Sequence, residues 1–313
     1  MLKLVLNRIV WSVPLLIVVT AVSFLLISFV PGSPAQAILG PYASEAQVHA
    51  LSNQLGLNNP VWVQYWDWLH RVLEGHLGTS LSSGQSVSAL LSVPLKVSLT
   101  LVVLATAAAS VAGVALGVVA ATRGGWSSRA VEFASVLGLA LPGFWFGLIL
   151  IEFFAVDLKL LPPTGFVDFS QSPWEWAKSL IMPAATLSLA GITVIAVQTR
   201  DAMLEVLGRE FVRVMRANGF STSSVIFRHA LRNAAIPVVT TIGITFVGLL
   251  GGSVVVEAVF GLPGLGSQLT TAAGNHDIPV LQAVVLYFTL AVIVANLLLD
   301  VAYGLLNPKV HAV

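Results

Sequence analysis

There is no cysteine among the 313 residues, so disulfides, thiolate chemistry and cysteine-ligated zinc are excluded. Charge is scarce as well. Asp, Glu, Lys and Arg make up 9% of the chain, against about 25% in ordinary soluble domains. So few charges cannot cover a water-facing surface, and 57% of the residues are hydrophobic. The composition fits a lipid bilayer as solvent. The formal net charge is +1, which calls for neither nucleic acid nor an acidic partner. Catalytic patterns are missing too. None of the histidines (His49, His70, His76, His229, His276, His311) pairs with another at i,i+4, and no H-E-x-x-H occurs. The serines of "GTSLSSG" (78–84) sit in no G-x-S-x-G elbow, and there is no phosphate-binding G-x-x-x-x-G-K-[ST]. The chain therefore reads as non-enzymatic, with no catalytic, metal or cofactor-binding residue and no energy source of its own.

What is present is apolar runs. A membrane helix needs roughly 20 mostly apolar residues to cross a hydrocarbon core about 30 Å thick. Six stretches qualify, at about 9–30, 97–121, 131–156, 180–199, 234–256 and 280–306. Backbone groups in lipid must pair internally, so each is expected to be helical and the fold class all-α. Placing the N-terminus inside leaves Lys3, Arg8, Arg123, Arg129, Arg200, Arg209, Arg213, Arg216, Arg228, Arg232 and Lys309 on the inner side. Arg71, Lys96, Lys159 and Lys178 fall outside. That asymmetry predicts cytoplasmic N- and C-termini. Lys3 and Arg8, an apolar run and "AQA" at Ala35–Ala37 resemble a signal peptide. The run is longer than the roughly 7–15 residues usual there, so it is read as a span.

The linear organisation expected is 1–30 as N-terminal region and first span, 31–93 as an external segment, 94–304 as the transmembrane core, and 305–313 as a cytoplasmic tail. In the external segment, Asn59-Pro60 marks a helix start. Trp62, Tyr65, Trp66 and Leu69 are expected to form one stripe resting on the membrane interface. Glycines spaced as G-x-x-x-G at Gly113–Gly117, Gly143–Gly147 and Gly248–Gly252 predict close helix packing. Pro142 and Pro237 are candidate kinks. Charged residues near span ends are Glu132, Glu152, Arg200, Glu257 and Asp300, and none lies at mid-depth as a proton relay would. Gln198, Gln282 and Asn296 are the polar candidates for lining a translocation path.

The most unusual stretch is "FVRVMRANGFSTSSVIFRHALRNAAIP" (211–237), with four arginines and no acid between apolar runs. Gly219 can end a helix in a left-handed conformation, and Ser221–Ser224 can cap the next one. The product is a short basic amphipathic helix with a sharp turn in the cytoplasm. It suits either anionic headgroups or a groove on a partner protein.

Here the residues resemble a family. "RANG" (216–219) followed by "RHALRNAAIPVVT" (228–240) is similar to the cytoplasmic coupling loop of binding-protein-dependent ABC importer permeases. The likeness is to the peptide/nickel branch and to its first permease subunit. "PGSPA" (31–35), "LGTS" (77–80), "LPGFWFG" (141–147), "LPPTG" (161–165) and "VEAVFGLPGLG" (256–266) extend it over the chain. Departures are Ser33 for the family's Asp, Asn218 for its Lys, and Arg213-Val214-Met215 where the wider class has Glu-Ala-Ala. The resemblance implies a type I ABC importer permease fold with six transmembrane helices in a prokaryotic plasma membrane. It implies a second homologous permease chain, two cytoplasmic ABC ATPases that carry the ATP and Mg, an external substrate-binding protein, and no nucleic acid. It implies Arg213, Arg216, Ala217, Asn218, Gly219 and Phe220 as the ATPase-coupling residues. The expected cargo is di- or oligopeptides, with nickel or another small solute as the alternative. From another class, an ion-coupled secondary transporter remains a rival.

Overall fold

The computed structural model of the chain describes residues 2–29, 32–40 and 42–306. The helices are α1 (Leu2–Ser28), α2 (Pro34–Leu39), α3 (Glu45–Gln54), α4 (Val61–Leu73), α5 (Val87–Arg123), α6 (Gly125–Ala140), α7 (Gly143–Leu150), α8 (Pro173–Leu207), α9 (Glu210–Ala217), α10 (Leu231–Phe260), α11 (Leu265–Gly274) and α12 (Ile278–Leu306). Among the described residues the only β feature is one isolated bridge, Thr79 with Ser86. The all-α expectation therefore holds. The expected tail lies outside the described residues from 307 onward.

Among the described residues, five helices are long and apolar enough to cross a membrane: α1 over Asn7–Ser28, α5, α8, the stretch Ser224–Phe260 that ends in α10, and α12. The third expected span, 131–156, is not one helix. It is built from α6, a break at Leu141-Pro142, α7, and a widened π-helical stretch Ile151–Asp157. Proline has no N–H to give and crowds the residue before it out of helical geometry. The chain restarts on the Pro142 carbonyl, which accepts from the Trp145 and Phe146 amides at 3.0 and 3.2 Å. Pro237, by contrast, lies inside α10 without ending it.

Two compact units form, and they cut across the linear organisation. One contains Leu99–Leu262 and takes in the C-terminal part of α12. Its close contacts are made by small residues. A Cβ on Gly113 would sit 2.8 Å from Ile195, and one on Gly117 would sit 2.5 Å from Thr199, so α5 and α8 touch nearly backbone to backbone. Gly143 and Gly248 meet nothing within 4 Å, so the other two G-x-x-x-G pairs are not packing seams at both ends. Arg200 ties α8 to α6 through an ion pair with Glu132 and a 2.9 Å hydrogen bond to the Ser128 hydroxyl. The motif segments 161–165 and 256–266 meet where the Gly165 amide donates to the Phe260 carbonyl at 2.9 Å.

The other unit contains Leu6–Ser98 and Pro263–Ile293. Its aromatic seam joins α1 and α4. Tyr65 donates to the Ile17 carbonyl at 3.1 Å, lies 3.0 Å from the Thr20 hydroxyl, and packs edge-on against Phe24. The expected stripe therefore splits. Tyr65, Trp68 and Leu69 are buried, while Trp62 and Trp66 are 68% and 59% exposed. Residues at i, i+3, i+4 and i+7 share a face that still spans a wide arc, and α1 covers the part of it that carries Tyr65. Serine caps set the entries to the short helices. Ser33 accepts from the Gln36 amide, with Pro34 in the first turn, and Ser44 forms a capping box with Gln47. Ser33 thus does the capping work that an Asp would do equally well.

Candidate coupling site

The protrusion between α8 and α10 is assembled locally. α9 buries one residue, Val212, and half-buries Met215. Phe211, Val214 and Phe220 stay 38%, 53% and 49% exposed. Phe211 and Val214 are thus left on the surface, and Val212 is the anchor, a residue that sequence reasoning missed. Arg213, Arg216, Ala217, Asn218 and Gly219 are all exposed beside the free apolar side chains.

Gly219 closes the helix. Its φ is +80°, its amide donates to the Arg216 carbonyl at 3.1 Å, and the Phe220 amide reaches back to the Met215 carbonyl at 3.1 Å. These paired bonds satisfy carbonyls left open at a helix end, and the left-handed residue is glycine because a Cβ is disfavoured there. Space is not the reason, since a Cβ on Gly219 would meet nothing within 4 Å. Ser221 then opens the next helix by accepting from the Ser224 amide at 3.3 Å. The following turn is π-helical over Ser224–Ala230 and runs into α10. The exposed Arg209–Glu205 ion pair at 2.6 Å braces the entry to α9, a contact worth little by itself in water. The result is a short peg, apolar and cationic, closed by its own backbone bonds, anchored through Val212 and set between two long helices.

A family model described as the binding-protein-dependent transport system inner membrane component matches residues 113–312, and the N-terminal model of the same systems matches residues 1–99. The chain belongs to this family. A "Probable peptide ABC transporter permease protein" of Sinorhizobium fredii is 39% identical over 308 residues, 98% of each chain. A glutathione transport system permease protein of Salmonella typhimurium is 39% identical over 312 residues, 99% of each. Among solved structures, an inward-facing form of the MetNI methionine ABC transporter matches at a TM-score of 0.56 and 19% identity, covering 70% of this chain and 96% of that one. That likeness supports the type I importer permease fold and nothing finer.

The remaining site candidates of this permease are scattered. Gln198 on α8 and Asn296 on α12 are half-buried. Gln282 is fully buried, and its side-chain carbonyl accepts from the Ser23 hydroxyl at 3.1 Å. A groove of about 520 Å³ runs between α7, α8 and α10 past Gly248 and Gly252. In its wall the Thr186 hydroxyl is buried without a hydrogen-bond partner.

Sequence reasoning missed Asp277 altogether. It is 1% exposed, and its carboxylate accepts from the hydroxyls of Ser80 and Ser82 (2.8 Å for Ser82) and from the amides of Leu81 (3.1 Å) and Ser82 (3.2 Å). The serines of "GTSLSSG", set aside as non-catalytic, are thus the donors of a carboxylate clasp. Nothing local signalled it, because the partners lie almost 200 positions apart in sequence.

Proposed function

We propose that this permease forms half of the translocation pathway of an ATP-driven importer of di- and oligopeptides, with both termini cytoplasmic. Its partners in this reading are a second homologous permease, two cytoplasmic ABC ATPases and an external binding protein. The ATPases hydrolyse the ATP; this chain supplies the path and the lever. ATP binding draws the ATPases together and shifts the pegs, which swings the spans from inward-open to outward-open, and hydrolysis resets them. Gln198 and Asn296, the two half-buried polar candidates, are proposed to face the path.

The observation that carries the lever is the exposed tip: Phe220, Arg213 and Arg216 around a turn locked by Gly219. Exposed apolar anchors flanked by arginines are what a partner's groove needs for seating and register. The relatives' names support peptides over a metal ion, and glutathione is itself a small peptide.

The test is uptake of a labelled dipeptide by proteoliposomes holding the full complex. Gly219→Pro cannot adopt a φ of +80°, so it should leave ATP hydrolysis running while uptake falls to background. Normal uptake by a correctly inserted Gly219→Pro chain would overturn the coupling assignment. The chain alone, without ATPases, should move no solute under any ion gradient. Movement there would instead establish the ion-coupled reading.

A further inference from the structure

In the unit built from Leu6–Ser98 and Pro263–Ile293, a cleft of about 580 Å³ opens beside α4. Its size falls within the range of about 300–1,000 Å³ typical of small-molecule sites. Phe24, Leu57, Leu77 and Ile278 give it apolar walls. One helix face, Gln64, Asp67, Trp68 and Arg71, spaced i, i+3, i+4 and i+7, supplies much of its polar lining, with His70, Asn59 and Thr79 adding to it.

Three features of this face point to a ligand. Trp68 is 5% exposed, lines the cleft, and its indole nitrogen has no hydrogen-bond partner. A buried donor left unmade is costly, on the order of 1–3 kcal/mol, and such groups are rare. The Asp67 carboxylate and the Arg71 guanidinium stand one turn apart at the exposed rim and form no ion pair with each other. Arg71 commits only its Nε, to the Asp67 backbone carbonyl at 3.2 Å. Gln64, in contrast, is fully engaged as a donor, holding the carbonyls of Leu57 and Asn59 at 3.0 and 2.8 Å and so fixing the loop that forms the opposite wall.

We propose that this cleft is a reception site for a short zwitterionic peptide. Asp67 takes the α-ammonium, Arg71 the α-carboxylate, the Trp68 indole N–H donates to a peptide carbonyl, and one apolar side chain enters between Phe24 and Ile278. The charges fit by length. Side chains at i and i+4 leave the helix about 5–6 Å apart, and arginine's reach extends that toward the roughly 7–11 Å of an extended di- or tripeptide. The choice of peptide as ligand rests on the importer reading above.

The permease chain in lipid nanodiscs is titrated calorimetrically with Ala-Phe and with N-acetyl-Ala-Phe-amide, which lacks both terminal charges. Ala-Phe is expected to bind, and the capped peptide to bind at least tenfold more weakly. Trp68→Phe keeps the ring and removes the donor, and is expected to weaken Ala-Phe about tenfold, as are Asp67→Asn and Arg71→Gln. Absence of Ala-Phe binding, equal binding of the capped peptide, or unchanged binding by a correctly folded Trp68→Phe chain each overturns the proposal. Uptake by the full complex separates the two readings. Peptide uptake without binding at the cleft removes the reception site and leaves the importer; binding without uptake does the reverse.

Discussion

The turn after α9 and the turn after α11 share one backbone. In the first, Phe220 and Gly219 donate to Met215 and Arg216; in the second, Asp277 and His276 donate to Ala272 and Ala273 at 2.9 and 3.3 Å. The left-handed position is Gly219 in one (φ +80°) and His276 in the other (φ +52°). The residue that follows is half-exposed Phe220 in one and buried Asp277 in the other. The helices α3, α4 and α10 end by the same pair of bonds, with Gly56, Gly75 and Gly261 in the left-handed place. His276 is thus the exception among these five. A left-handed L-residue costs roughly 1–2 kcal/mol, which glycine avoids. At the α11 end the tertiary structure offsets that cost: Asp277 collects four hydrogen bonds from Ser80–Ser82, and the imidazole lies where a Cβ on Gly32 would be. At the α9 end the only ring contact at the tip is a local one, Phe220 edge-on to His229 with centroids 6.1 Å apart, so the chain uses glycine and leaves its apolar side chain half exposed. A turn closed by distant partners is a structural corner, and one closed only by its own backbone is free to engage something else.

That contrast can be broken at four places. Asp277→Ala should be the most destabilising, by about 2–3 kcal/mol, because it removes the acceptor of four hydrogen bonds and strands the buried Ser80 hydroxyl. A fall in melting temperature of the detergent-solubilised chain reads it, and a loss under 1 kcal/mol would mean that the clasp holds little. Gly32→Ala should follow at about 2 kcal/mol, since its φ of +134° and the neighbouring imidazole both oppose a Cβ. Gly219→Ala has open space around it, so only the backbone term applies, and about 1 kcal/mol is expected. Faster amide exchange at 218–220 with an unchanged global melt would show it. Phe220→Asp should change stability least, within about 0.5 kcal/mol, as a surface substitution. Yet its peptide uptake should drop to background while ATP hydrolysis continues. Should Phe220→Asp unfold the chain, or Asp277→Ala leave it intact, the two turns would not differ as described.

Legibility followed the distance over which each feature is determined. The Gly219 turn and the Ser221 cap were readable, because a helix end is specified by a handful of consecutive residues. The start of α4 after Asn59-Pro60 was readable for the same reason. The third span was readable as apolar and Pro142 as a candidate kink, but not the full break into separate helices, since hydrophobicity averages over a window and a missing amide hydrogen does not. The α4 stripe was misgrouped because periodicity shows which residues share a face without saying where a neighbour such as α1 sets the boundary. Val212 was not singled out, because burial depends on position around the helix and on the neighbour it meets, which the local sequence does not give.

By itself the sequence determined the solvent of this permease, its helical class, its family and the conformation of the turn after α9. Those follow from composition and from neighbours within a few residues. Only the tertiary structure decided that Asp277 grips Ser80 and Ser82, that Gln282 is committed to Ser23, and that α4 presents Trp68 to a cleft. Such pairings join residues remote along the chain, and their free energy exists only once the intervening helices have packed.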